Sequence, residues 1–140
     1  MATQRSTEPR VNGPETPVGV LMSRAVARIS PEARLDELAR KLAAVEAGAL
    51  GVGTTEALVG IVSERDLTRA YGTGDAPDDL RAGDIASPDI IWCEPDTSAA
   101  EAARIMVDRG IRHLLIGDDS GGDLQGIVSA RDLMEALVGP

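Results

Sequence analysis

Phenylalanine is absent from this chain of 140 residues, and Tyr71 and Trp92 are its only aromatic side chains. A core must therefore be built from Leu, Ile, Val, Ala and Met, which the 43% hydrophobic content permits. The same lack removes the stacking platforms that single-stranded nucleic-acid binders use. Cys93 stands alone, which excludes an intrachain disulfide and a cysteine-rich metal site and suits a reducing compartment. His113 is the single histidine, which excludes a histidine metal cluster, and no Ser-His-Asp partner set stands around it in sequence. Positive charge is scarce: 14 Lys and Arg stand against 23 Asp and Glu, a net charge of −9 with no basic run to face a duplex or a membrane. No segment approaches the roughly 18 apolar residues of a membrane helix. Residues 1–17 are polar, with Pro9, Pro14 and Pro17, and lack the apolar middle of a signal peptide. They read as a disordered leader. These absences predict a cytoplasmic protein that binds neither nucleic acid nor membrane.

What the chain does have is a repeat. Gly60-Ile61-Val62-Ser63-Glu64-Arg65-Asp66-Leu67 returns as Gly126-Ile127-Val128-Ser129-Ala130-Arg131-Asp132-Leu133, identical at seven of eight positions and displaced by 66 residues (126 − 60). Upstream the displacement is 64: Pro31 matches Pro95, and Leu50 to Val52 match Leu114 to Ile116. The two extra residues fall between Gly117 and Asp123, a Gly/Asp/Ser stretch where a longer surface turn costs little. The chain is thus two copies of one unit, residues 18–71 and 80–138, joined by a turn-rich linker at 72–79.

Each copy reads strand, helix, strand, strand, helix. In the first, Ala25 to Ile29 form a short strand ahead of Pro31. Leu35, Leu38, Leu42 and Val45 recur at helical spacing. Ala49 to Val52 and Leu58 to Val62 are strands, and Ser63 caps the helix that follows. In the second, Ile90 to Cys93 are the first strand. Ser98 and Glu101 have capping-box spacing, Ala99, Ala102, Ala103 and Met106 make the apolar face, and Gly110 ends the helix. His113 to Ile116, Leu124 to Val128 and Ala130 to Val138 complete the unit. One such unit has too little sheet and helix to bury both faces, so the two are expected to share a core.

The closing motif carries the chemistry. Ser63 and Asp66, and Ser129 and Asp132, stand three residues apart in a first helical turn, which puts hydroxyl and carboxylate on one side. A fixed carboxylate can accept both hydrogen bonds of a ribose diol, and a helix N-terminus with hydroxyls and cations suits phosphate. Capping and dipole compensation explain the same residues without any ligand. Gly60 and Gly126 either admit a close approach or mark the start of a strand. Arg65 and Arg131 either clamp a phosphate bidentately or pair with a surface acid.

These features together resemble a tandem pair of cystathionine-β-synthase (CBS) domains, a Bateman module. The matching residues are the lead-ins Val20-Leu21-Met22-Ser23 and Asp84-Ile85-Ala86-Ser87, the strands running into Pro31 and Pro95, and the two closing motifs. The resemblance covers about residues 18–138. It implies an α/β (α+β) fold of two pseudo-symmetric repeats, each βαββα-like, and no catalytic activity. It implies clefts that take an adenosine-type ligand, AMP, ADP or ATP, as a regulatory ligand rather than a required cofactor. By the same resemblance, one cleft joins Ser63 and Asp66 with Ile90, Ile91 and Trp92. The other joins Ser129 and Asp132 with Val26, Ala27 and Arg28. Trp92 would flank a base or pack at the edge of the core. Arg112 and His113 fall where phosphate contacts are made in this family, whereas the first repeat has Gly48 and Ala49 there. One better anion site, or a ligand with little phosphate charge, is therefore expected. The resemblance further implies a homodimer that signals to a separate regulated protein. The alternative is an interaction module with empty clefts.

Overall fold

The computed structural model describes residues 13–45, 48–54, 57–74, 77–118 and 123–138. The chain divides into two compact units: Ala25–Ile91, and a second made of the segment ending at Arg24 together with everything from Trp92 onward. Each unit holds one three-stranded sheet, and the βαββα order expected of each repeat is found in both.

In the first unit β1 (Arg28–Ile29) runs parallel to β2 (Ala49–Gly53), which pairs antiparallel with β3 (Leu58–Ser63). Helix α1 (Leu35–Ala44) makes the crossover that a parallel β1–β2 pair requires. It buries Leu35, Leu38 and Leu42, the face its spacing predicts. These side chains pack with Ile29, Leu50, Val52 and Val62 in a wholly aliphatic core. Helix α2 (Glu64–Gly72) follows β3, and the short α3 (Ala82–Ile85) closes the unit.

The second unit repeats the plan. Strand β4 (Trp92–Cys93) runs parallel to β5 (His113–Asp118), and β5 pairs antiparallel with β6 (Asp123–Ser129). Helix α4 (Ala99–Arg109) buries Ala99, Ala102 and Met106. Gly110 ends it at φ 66, the left-handed cap expected of that glycine. Ser98 Oγ accepts from the Glu101 amide at 3.1 Å, which is half of the capping box its spacing suggests. Helix α5 (Ala130–Val138) buries Leu133 and Ala136.

The compact units are offset from the sequence repeats because each lead-in binds the other copy. Ser87 exchanges backbone hydrogen bonds with Ile61 at 2.8 and 2.9 Å, and Ser23 does the same with Ile127. Gly83 donates to the Pro31 carbonyl and Gly19 to the Pro95 carbonyl, again 64 residues apart. Gly60 and Gly126 make this docking possible: an added Cβ would lie 2.6 Å from the Ser87 carbonyl oxygen at the first and 2.6 Å from the Ser23 carbonyl oxygen at the second. Their close approach is therefore to protein backbone, in the middle of a strand.

Of the expected leader, residues 1–17, only the last five are described, and they are not free. Residues 1–12 lie outside the described residues, but Gly13 to Pro17 are bound to the second unit. The Pro14 and Thr16 carbonyls accept from Ala100 and Ala99, satisfying amides that the first turn of α4 cannot pair internally. Gly13 donates to the Ala136 carbonyl of α5, and Thr16 is buried. Backbone carbonyls do this work, so a polar, proline-rich composition did not betray it. Part of the linker, residues 75–76, also lies outside the described residues.

Candidate functional site

Two matching constellations sit at the sheet-to-helix turns. In the first unit Ser63 is the last residue of β3 and the N-cap of α2. Asp66 Oδ2 accepts from the Ser63 amide at 2.9 Å and lies 3.0 Å from Ser63 Oγ, while that Oγ accepts from the Asp66 amide at 3.3 Å. In the second unit Asp132 Oδ2 accepts from the Ser129 amide at 2.8 Å, and the other two distances are 3.0 and 3.2 Å. Both are reciprocal capping boxes, so the capping role that the spacing suggests is realised twice. The box employs one carboxylate oxygen, Oδ2, and holds the side chain in a fixed orientation at the positive end of a helix. Such an arrangement can present a preset acceptor to a diol and amides to an anion.

The constellations differ in what surrounds them. Across the β5–β6 ladder His113 is paired in register with Ser129, and the Arg112 carbonyl accepts from the Ala130 amide at 2.9 Å. Arg112, His113, Ser129, Arg131 and Asp132 are thereby gathered at the start of α5. In the first unit the same bond runs from Glu64 to Gly48 O, and Ala49 faces Ser63 in register, so no cation is contributed there. Arg65 and Arg131 are both exposed one residue before the aspartates.

The other expected contacts are distributed as follows. Ile90 and Ile91 belong to the unit of Ser63 and Asp66 and are partly buried. Trp92 belongs to the other unit, where it opens β4 opposite Leu115 and is partly buried. Val26, Ala27 and Arg28 belong to the first unit, Arg28 opening β1, whereas Ser129 and Asp132 belong to the second. The Ala27 carbonyl accepts from Gly51, and Arg28 Nη1 donates to the Val26 carbonyl at 3.2 Å.

No group of three or more metal-ligating side chains comes together among the described residues. Cys93 is buried on β4. Burial pushes its thiol up from the ordinary value and outweighs the opposing hydrogen bond with Thr97. The thiol is protonated at neutral pH and is a poor nucleophile. Alkylation of the folded protein at pH 8 is expected to run more than about tenfold slower than in urea. Because the folded pKa is raised, the stability this thiol contributes is present below the ordinary thiol range and lost as pH rises through it and beyond. Unfolding free energy should fall more steeply above about pH 8.5 than in Cys93→Ala. Equal alkylation rates, or identical pH slopes, would contradict this.

The CBS-domain signature matches the chain twice, at residues 18–73 and 82–139. The chain belongs to the CBS-domain family. Among similar proteins, an uncharacterized protein of Methanopyrus kandleri is 38% identical over 120 residues, which is 84% of this chain and 61% of that protein. The chain thus spans about three fifths of that relative's length. A CBS-domain containing protein of Agrobacterium tumefaciens superposes with a TM-score of 0.77 at 27% identity, covering 89% of this chain and 95% of that one. The cytosolic domain of the Mg2+ channel MgtE, solved in complex with ATP, superposes with a TM-score of 0.65 at 27% identity, covering 86% and 48%. The tandem CBS architecture expected from the closing motifs is confirmed. No described helix is long and apolar enough to cross a membrane.

Proposed function

We propose that this chain is a cytoplasmic regulatory module that binds an adenosine-containing nucleotide of the AMP, ADP or ATP class. It acts as a homodimer and passes its state to a separate partner protein. The observation that carries this reading is the aspartate held at the start of α5, with the Arg112 carbonyl bonded to Ala130, the first residue of that helix. Asp132 Oδ2 is committed to the capping box, and Oδ1 is the oxygen offered to a ribose diol. The Arg112 and Arg131 guanidiniums and the α5 amides serve phosphate. The MgtE domain solved with ATP supports a nucleotide as the ligand class. The start of α2 offers the same carboxylate without the cation of Arg112 and is the weaker site. Binding would then shift the population of conformers that the partner reads. A catalytic role is not proposed, since the one cysteine is a buried thiol and the one histidine sits in a strand.

Isothermal titration with AMP, ADP and ATP tests this. Saturable binding is expected. Asp132→Asn keeps an oxygen for the Ser129 amide and removes the charge, so it should weaken binding by about tenfold or more while the melting temperature moves little. Asp66→Asn should do less. Unchanged affinity in both variants would sink the site assignment. No heat and no thermal shift with any nucleotide would leave the interaction-module reading.

A further inference from the structure

Residues 13–17 form a strap across the two helices of the second unit. The Thr16 and Pro14 carbonyls accept from Ala99 and Ala100 at 2.8 and 2.9 Å, and Gly13 donates to the Ala136 carbonyl. The strap thus runs from the amides that open α4 to one of the last carbonyls of α5, groups that neither helix can pair internally. Of its side chains only Thr16 is buried, and Pro14 and Glu15 are exposed. Val18, fully buried and bonded to the Thr97 carbonyl, is the fixed point behind it. A segment held by hydrogen bonds with so little apolar burial opens locally, without unfolding of its unit. The corresponding segment of the first unit, Pro77–Arg81, is fastened by side chains: Arg34 Nη2 lies 3.8 Å from Asp78 Oδ1, and Arg81 Nη1 donates to the Asp78 carbonyl at 3.2 Å. Among the described residues it makes no backbone hydrogen bond with α2.

We infer that the strap is the reporter of the second unit: nucleotide bound at the start of α5 holds it closed, and its release is the change that a partner protein reads. The inference rests on the nucleotide reading above and names its output. Coupling comes through α5 itself. The helix has nine residues, fewer than the roughly 12–15 that stand alone in water, so its turns form together. Asp132 and Ala136 are four positions apart (136 − 132), and in an α-helix the amide of the second bonds the carbonyl of the first. A ligand that steadies the first turn therefore steadies the carbonyl to which Gly13 donates. Gly13 is also where the strap can be undone selectively. Its φ of 101 is one that glycine takes without strain, and nothing lies within 4 Å of an added Cβ.

Amide hydrogen exchange of the full chain, read residue by residue with and without saturating ATP, tests the inference. Ala99 and Ala100 donate to the strap, whereas Ala102 donates to the Ser98 carbonyl. In the free chain the first two should exchange about tenfold or more faster than Ala102, and ATP should slow them about tenfold while slowing Ala102 less. Gly13→Pro cannot take the wild-type φ and has no amide to give Ala136. Its Ala99 and Ala100 should exchange fast with or without ATP, at unchanged circular dichroism. Because coupling is reciprocal, this variant should also bind ATP more weakly, by at most the factor by which ATP slows these amides in wild type. Glu15→Ala, at an exposed position of the strap, should match wild type. ATP that binds yet slows Ala99 and Ala100 no more than Ala102, or a Gly13→Pro chain in which they stay slow, overturns the strap while the nucleotide reading stands. A chain that binds no nucleotide overturns both.

Discussion

Leu50→Ala is expected to lower the unfolding free energy by about 2–5 kcal/mol. Leu50 is fully buried on β2, paired in register with Val62, and packs with Leu38 and Leu42 of α1. The cost has two parts, the lost transfer of the isobutyl group and the void left behind. The second part should be large here. The core holds no aromatic ring, and β-branched Val52, Val62 and Ile29 around the site have restricted χ1 angles. They cannot swing into the space. Urea unfolding should show a lower midpoint with an unchanged slope, since the surface exposed is the same. A loss below about 1 kcal/mol would mean the core collapses readily and is looser than these side chains suggest. For a domain of ordinary stability, about 5–15 kcal/mol, this one change consumes a large share.

Gly126→Ala should cost about 2–3 kcal/mol, more than most glycine replacements, because the new methyl has nowhere to go. It would stand 2.6 Å from the Ser23 carbonyl oxygen and 2.6 Å from Met22 Sδ. Methionine can move aside, but the carbonyl belongs to a residue bonded on both sides to Ile127. Relief comes only if the lead-in lifts from β6. Gly60→Ala should behave alike through the Ser87 carbonyl. Gly72→Ala is the control: nothing lies within 4 Å of its added Cβ, and its φ is not positive. It should be neutral or stabilising by about 0.4–1 kcal/mol, through a less disordered unfolded chain. Urea midpoints of the three variants check the ranking, and hydrogen exchange at Ser23 and Ile127 should rise in Gly126→Ala alone. Equal midpoints for Gly126→Ala and Gly72→Ala would show that the docked lead-in adds nothing to stability.

Much of this architecture was legible in the residues. The duplicated closing phrase announced two units, and helical spacing located α1, α4 and α5, the last with the same bounds, Ala130 to Val138. Strands β1 and β4 are shorter than their apolar segments suggest. Each segment holds four apolar residues, but only two positions in each find partners on the central strand. Apolar composition signals burial, and pairing length is set by where the neighbouring strand ends. The exchange of lead-ins was not legible. It is made of backbone hydrogen bonds to either of two near-identical strands, so no side-chain pattern records which copy is chosen. Gly60 and Gly126 were the one trace, and their sequence context allowed several uses. At the candidate site, Ser-x-x-Asp spacing foretold both capping boxes. Tying Arg112 and His113 to the start of α5 needs the register of β5 against β6, which pairs His113 with Ser129, 16 positions away (129 − 113).

The placement of the two lead-ins sets an order of events for a chain made from its N-terminus. The bridge from Ile61 to Ser87 closes a loop of 26 residues (87 − 61), whereas that from Ser23 to Ile127 closes 104 (127 − 23), a fourfold difference. On chain entropy alone the longer closure costs about 1.2 kcal/mol more. The first unit has every part it needs once Ile91 has been synthesised. The segment from Gly13 to Ser23, made earlier still, can pair with residues 95–100 once these emerge, but the Ser23 bridge must wait for β6. Ser23 is made before any strand of the first unit yet reaches its partner only when Ile127 has been made, so a nascent chain halted before Ile127 would lack that bridge.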